Sequence, residues 1–189
     1  MDKNVRVGID LDGVIIDHRG HKCALARTHG CLLEPWQANS NVMRGHVTEE
    51  IYRSIQEPLY CEWTLKAPAV EGALKELARL KDRAFIVSAR HTASIRFAQD
   101  WLLANGVYDL VPAERIFFCG GDAEKRGYCE KLGIGVFLDD KISVLDALPY
   151  PIKKVLFDQD GVAGKISVAE HIDVVRDWKS FLKIVNSRS

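Results

Sequence analysis

Short runs rich in β-branched and aromatic residues, alternating along the chain with stretches of helical spacing, constrain the fold more than any other feature of the sequence. The runs are Val5 to Ile9, Ala84 to Val87, Ile116 to Phe118, Ile134 to Leu138 and Val155 to Phe157. The helical stretches are Val70 to Leu80, Thr92 to Asn105, Ala123 to Leu132, Ile142 to Leu148 and Asp173 to Val185. Strand followed by helix, repeated, specifies an α/β chain: a doubly wound parallel sheet with right-handed crossovers and helices on both faces. Strands buried on both sides read as continuous apolar runs and not as alternation, and these do.

One region breaks the pattern. Residues 18–69 contain no strand-like run; Trp36, Tyr52, Tyr60 and Trp63 are scattered among polar residues, and Pro35, Gly45, Pro58 and Pro68 punctuate the segment. It reads as a small helical cap with two or three short helices, for example Lys22 to His29 and Thr48 to Gln56. The domain division is therefore a core of residues 1–17 and 70–189 with a cap of residues 18–69.

Composition excludes several classes. The chain has 189 residues, 47% hydrophobic and 28% charged, enough for one domain to bury a core without a disulfide or metal staple. Its 26 basic residues equal its 26 acidic ones, which argues against an extended nucleic acid or an anionic membrane surface as partner. No apolar run approaches the roughly 20 residues of a membrane span, and Met1 to Asn4 lack the basic and apolar regions of a leader. The five cysteines (Cys23, Cys31, Cys61, Cys119, Cys129) are odd in number and never spaced as CxxC, as expected of reduced thiols. A cytoplasmic enzyme is the expectation; the sequence leaves oligomeric state open.

In an open parallel sheet, ligands collect beyond the carboxyl ends of the strands. The first strand runs into Asp10-Leu11-Asp12-Gly13-Val14, two carboxylates at i and i+2 followed by a glycine that permits a sharp exit. The second ends at Ser88-Ala89-Arg90 and the fourth at Asp139-Asp140, with Lys125 in the helical region before that strand. Four carboxylates on one edge would repel and titrate upward unless a cation offset them. Oxygen ligands at a strand edge suit Mg²⁺, which is commonly held by one or two carboxylates and a substrate phosphate. Metal, carboxylate nucleophile, hydroxyl, lysine and arginine together are what phosphoryl transfer asks for.

Those residues carry a resemblance. Asp10-Leu11-Asp12-Gly13-Val14, Ser88, Lys125 and Asp139-Asp140 resemble, in order and strand position, the four motifs of the haloacid dehalogenase-like (HAD) phosphatases, whose core is Rossmann-like. The stretch from Val87 to Asp140 is similar to the 5'-nucleotidase branch. The resemblance implies that Asp10 attacks phosphorus to form an aspartyl-phosphate and that Asp12, with a pKa raised by its neighbour, acts as acid and base. It implies Mg²⁺ on Asp10, the Asp12 backbone carbonyl and Asp139 or Asp140, with Ser88 and Lys125 on the phosphoryl oxygens. Arg90 follows the serine directly and is a further candidate for the phosphate. The implied substrate is a small phosphorylated molecule, a nucleoside monophosphate first, with the cap aromatics as candidate base-stacking surfaces. A sugar-phosphate phosphatase and a catalytically silent phosphate-binding protein are the alternatives.

Three look-alikes compete with this reading. Leu156-Phe157-Asp158-Gln159-Asp160-Gly161-Val162 repeats the strand-Asp-x-Asp-Gly form, but too little chain follows for further strands to complete a site, so it reads as a turn after the last strand. His18, His21 and Cys23 match no zinc spacing. Lys131 rivals Lys125, but beside Leu132 and Gly133 it reads as the end of a helix.

Overall fold

The computed structural model describes residues 5–187, so the reading of Met1 to Asn4 lies outside the described residues. In chain order the elements are β1 (Arg6–Ile9), α1 (Arg19–Thr28), α2 (Glu49–Tyr60), α3 (Ala73–Leu80), β2 (Ala84–Ala89), α4 (Thr92–Ala104), β3 (Ile116–Cys119), α5 (Lys125–Leu132), β4 (Ile134–Asp139), α6 (Ile142–Ala147), β5 (Lys153–Phe157), β6 (Ile172–Val175) and α7 (Trp178–Ser187). The six strands form one sheet in the order β3-β2-β1-β4-β5-β6, every pair parallel. The α/β fold with a doubly wound parallel sheet is as the periodicity specified, and its Rossmann-like form as the resemblance implied.

Successive strand residues feed opposite layers. Ala84 and Ile86 enter one apolar cluster with Leu77 of α3, Trp101 of α4 and Phe181 of α7, while Phe85 and Val87 enter the other with Cys129 of α5 and Leu145 of α6. Covered on both faces, the strands bury whole apolar runs, which at about 25 cal/mol per Å² of apolar area is the main stabilising term.

The strand order fixes where chemistry can occur. β1 lies between β2 and β4; the chain winds outward to β3, then crosses β1 to begin β4. At such a reversal the crossovers diverge and leave a crevice beyond the strand ends. Asp10 leaves β1 there, with its backbone N–H donated to the Leu138 carbonyl of β4 (2.9 Å).

Residues 18–69 join this edge through two antiparallel linkers: Asp17 N–H donates to the Pro68 carbonyl (2.9 Å) and Val70 N–H to that of Ile15 (2.8 Å). The segment has its own apolar cluster, Leu25, Ala26, Met43, Ile55 and Leu59. α2 continues past Gln56 through Pro58 to Tyr60, because burying Ile55 and Leu59 on one face holds its last turn against the proline.

One expectation is corrected. The helical stretch starting at Asp173 is two elements, β6 and then α7, so the second Asp-x-Asp-Gly loop follows the fifth of six strands and not the last. Ile172 and Val175 are buried while Val174 is exposed, the mixed pattern of a short edge strand; it runs directly into an amphipathic helix and so blurs the period. Among the described residues no helix is long and apolar enough to cross a membrane.

Candidate active site

The expected site residues gather at the carboxyl ends of β1, β2 and β4, in two adjoining groups. The first is Asp10, Lys125, Asp139 and Asp140, all buried. The first turn of α5 points Lys125 back under the sheet edge, where its Nζ donates to Asp10 Oδ1 (2.6 Å) and Asp139 Oδ2 (2.8 Å). The competing Lys131 is exposed in the last turn of the same helix. The other Asp139 oxygen accepts from Lys141 N–H (2.9 Å). Asp140 is held from the cap: Ser40 Oγ donates to its Oδ2 (2.7 Å) and Asn41 Nδ2 to its backbone carbonyl (2.7 Å).

Carboxylate oxygens of Asp10, Asp139 and Asp140 lie within 4.8 Å of one another. Burial pushes Asp10 well above the usual carboxylate range; Lys125 opposes the rise and the neighbouring acids add to it. Burial raises Asp139 likewise, against Lys125. For Lys125 burial acts downward, but Asp10 and Asp139 outweigh it and keep the ammonium charged. One ammonium against three acids leaves the trio short of positive charge, and the donors are hard oxygens, so the residues fit a divalent cation such as Mg²⁺. Asp12 is not part of this trio through its side chain.

The second group is built on Asp12. Arg90 grips it with two parallel donors, Nε to Oδ2 (2.9 Å) and Nη2 to Oδ1. His18 Nε2 lies 2.8 Å from Oδ1, and Ser88 Oγ donates to Oδ2 at 3.3 Å. Burial would raise this carboxyl, yet Arg90 and His18 outweigh it and hold Asp12 well below the ordinary range. The expected upward shift of Asp12 is thus reversed, because its nearest charge is a guanidinium and not the Asp10 carboxylate.

Arg90 is not placed as a phosphate donor. Its remaining N–H groups go to the carbonyls of Tyr60 (2.9 Å) and Ser94 (3.4 Å) and to Thr64 Oγ1 (3.3 Å), so all five donors are occupied. Ser88 is likewise fully buried and turned toward Asp12. Both side chains order Asp12, and Arg90, through Tyr60 and Thr64, ties the segment 18–69 to the strand ends.

A small cavity of ≈ 20 Å³, about the room one water needs, lies over Asp10 between Gly13, Asp140 and the cap residues His18, Lys22, Ser40 and Tyr60. It adjoins a cleft of ≈ 740 Å³ between α2 and the ends of β2 and β3, sharing Tyr60, Ala89, Asp122 and Lys141 with it. Tyr52 and Gln56 of α2 and His91 line that cleft. Of the four cap aromatics only Tyr52 and Tyr60 reach it: Trp63 packs edge-on to His21, and Trp36 sits between His46 and Lys165 Nζ. One face of Tyr52 is covered by the Arg44 guanidinium at 4.1 Å.

No expectation from the sequence covered the contributions of His18, Lys22, Ser40 and Asn41 to the site, nor those of Lys141 and Asp122, which pair at 3.0 Å. A signal existed for two of these. His18 and Lys22 are four residues apart, one turn on the face of α1 that also buries Leu25 and Ala26. Among the described residues the acidic trio is the only group of three or more His, Cys, Asp or Glu side chains arranged to hold a metal; His18, His21 and Cys23 form none.

No protein-family model matches the chain, and no curated protein matches it by sequence. Solved structures do match its fold. A haloacid dehalogenase-like family hydrolase from Xanthomonas campestris superposes with a TM-score of 0.59 at 12% identity, covering 98% of this chain and 96% of that one. A protein from Bacillus subtilis, assigned as a HAD-hydrolase and bound to magnesium, gives 0.57 at 14% identity over 97% and 100% of the two chains. A Lactobacillus plantarum protein assigned as a phosphoglycolate phosphatase gives 0.64 at 10% identity over 97% and 100%. At these identities the likeness is one of fold: the chain has the α/β fold seen in HAD-type hydrolases.

Proposed function

We propose that the chain is a magnesium-dependent phosphomonoester hydrolase with Asp10 as nucleophile. The observation that carries the reading is Lys125 bridging Asp10 and Asp139 in a buried pocket at the switch point of the sheet, with Asp140 completing an acidic trio. Lys125 takes Oδ1 of Asp10, leaving Oδ2 for phosphorus. Magnesium held by Asp10, Asp139 and Asp140 would offset charge on the phosphoryl oxygens. The magnesium-bound Bacillus subtilis structure and the phosphatase assignment of the Lactobacillus plantarum protein support this reading. Attack forms an aspartyl-phosphate and expels the alkoxide; water then releases phosphate and restores Asp10. Asp12, held ionised by Arg90 and lining the same cavity, is the carboxylate that would take a proton from that water in the second step, in place of the long 3.3 Å contact from Ser88.

The same ionisation leaves Asp12 a poor proton donor to the departing alkoxide. Aryl esters, whose leaving groups need no proton, are therefore expected to turn over about 10²-fold faster than alkyl esters.

Within this class we favour a small hydroxylated or sugar phosphate over a nucleoside monophosphate. The cleft is lined by hydrogen-bonding groups, among them Gln56, Glu57, His91 and Ser94, and Arg44 already covers a face of Tyr52 that a base would need. The test is release of inorganic phosphate from p-nitrophenyl phosphate, sugar phosphates and nucleoside monophosphates, with Mg²⁺ and with chelator. Mg²⁺-dependent release, faster from sugar phosphates than from nucleotides, is expected. No release from any ester would overturn the hydrolase; faster release from nucleotides would restore the nucleotidase.

A further inference from the structure

We propose that Lys22, carried into the site by helix α1, binds the anionic oxygens of the substrate's phosphoryl group, a role for which Arg90 was a candidate from the sequence. The inference rests on the hydrolase reading above for the identity of the anion. Three cationic lysines line the small cavity over Asp10: Lys22, Lys125 and Lys141. Lys125 is held by Asp10 and Asp139, and Lys141 by Asp122 at 3.0 Å. Lys22 alone of the three has no carboxylate partner among the described residues. It is only 7% exposed, and among the described residues its side chain makes a single hydrogen bond, from Nζ to Ser40 Oγ at 3.1 Å.

The polarity of that contact is fixed. Ser40 has one hydroxyl proton and gives it to Asp140 Oδ2 (2.7 Å), so toward Lys22 it can only accept. Ser40 thus aims the ammonium while leaving two of its three N–H donors without a protein acceptor, in a cavity that also contains the nucleophile. Burial pulls the Lys22 ammonium below its ordinary range, with Asp140 behind Ser40 opposing the fall, so an anion entering the cavity would stabilise its charged form. A phosphoryl group on Asp10 would bring such an anion into the same cavity.

The alternative is that Lys22 only fastens α1 to the loop carrying Ser40. Lys22→Met keeps the aliphatic stem and its packing, and Lys22→Arg keeps the charge, so the two variants separate the roles. Calorimetric titration of the full chain with inorganic phosphate in the presence of Mg²⁺ reads the anion site without any turnover. The expected result is a loss of about tenfold or more in phosphate affinity for Lys22→Met, substantially recovered in Lys22→Arg, with the thermal midpoint unchanged or raised for Lys22→Met. For p-nitrophenyl phosphate the same variant should lower kcat/KM by a similar factor.

Phosphate affinity within twofold of wild type in Lys22→Met, or no phosphate binding by the wild type, would overturn the proposal. Lys22-dependent phosphate binding without hydrolysis of any ester would uphold the anion site while removing the hydrolase reading. Asp10-dependent hydrolysis with no effect of Lys22→Met would do the reverse.

Discussion

Two loops of this molecule have nearly the same sequence and do different things. Asp10-Leu11-Asp12-Gly13-Val14 follows β1, and Asp158-Gln159-Asp160-Gly161-Val162 follows β5. In both, a strand delivers two aspartates and a glycine with positive φ turns the chain, at +88° for Gly13 and +70° for Gly161. Their neighbours separate them. β1 lies at the reversal of strand order, so Asp10 meets Lys125 and two further acids, and Asp12 meets Arg90. β5 lies two strands away, beyond β4. There Asp158 turns inward to accept the backbone N–H groups of Val162 (2.8 Å) and Ala163 (2.9 Å), closing its own loop. Asp160 faces the cap, pairing with Arg19 at 3.0 Å and reaching Asn39 at 3.5 Å. The motif supplies two carboxylates at a strand end; the sheet decides whether they meet a lysine and other acids or their own turn.

Substitutions in the two loops should therefore differ in kind. The largest effect on stability belongs to Asp12→Asn, which leaves the Arg90 guanidinium buried without its counter-ion and should cost about 3–5 kcal/mol near pH 7 in urea unfolding. Because Asp12 is held below its ordinary range when folded, its stabilisation is present above about pH 4 and fades as pH falls through and below that value. The gap between wild type and Asp12→Asn should shrink over the same interval; a gap independent of pH would mean the ion pair contributes nothing. Asp158→Ala comes next, at about 2 kcal/mol, since it strands two loop N–H groups, and it should leave kcat/KM within a fewfold of wild type.

The glycines sharpen the contrast further. A Cβ on Gly13 would stand 2.5 Å from Asp140 Oδ2, whereas on Gly161 the nearest atom is the mobile end of Arg176 at 3.2 Å. Gly161→Ala should cost about 1–2 kcal/mol and leave the Mg²⁺ dependence of turnover unchanged. Gly13→Ala adds displacement of Asp140 to the same backbone strain, so it should raise the Mg²⁺ concentration for half-maximal turnover by about tenfold. The smallest effect is expected of Asp160→Ala: under about 1 kcal/mol, with kcat unchanged, because its arginine partner is one-third exposed.

The comparison also marks how far the sequence is legible. The strand runs are local and strongly apolar, so five strands and the edge carrying Asp10, Asp12, Ser88, Lys125, Asp139 and Asp140 follow from pattern and order. β6 was hidden because four residues, half of them facing solvent, run straight into α7. The role of Arg90 was illegible for another reason: its five donors are distributed among Asp12, Tyr60, Thr64 and Ser94, and all of these but Ser94 are distant from it in sequence. Lys22 and His18 share that cause. A polar residue on the buried face of a short helix announces burial, but what it faces depends on how the cap sits over the sheet.

Under the proposed function the β1 loop, and not its twin after β5, performs the chemistry. Turnover of p-nitrophenyl phosphate with saturating Mg²⁺, compared between Asp10→Asn and Asp158→Asn in folded protein, tests it most directly. A loss of at least about 10³-fold is expected for Asp10→Asn and little change for Asp158→Asn. Activity that survives at position 10 and disappears at position 158 would contradict it.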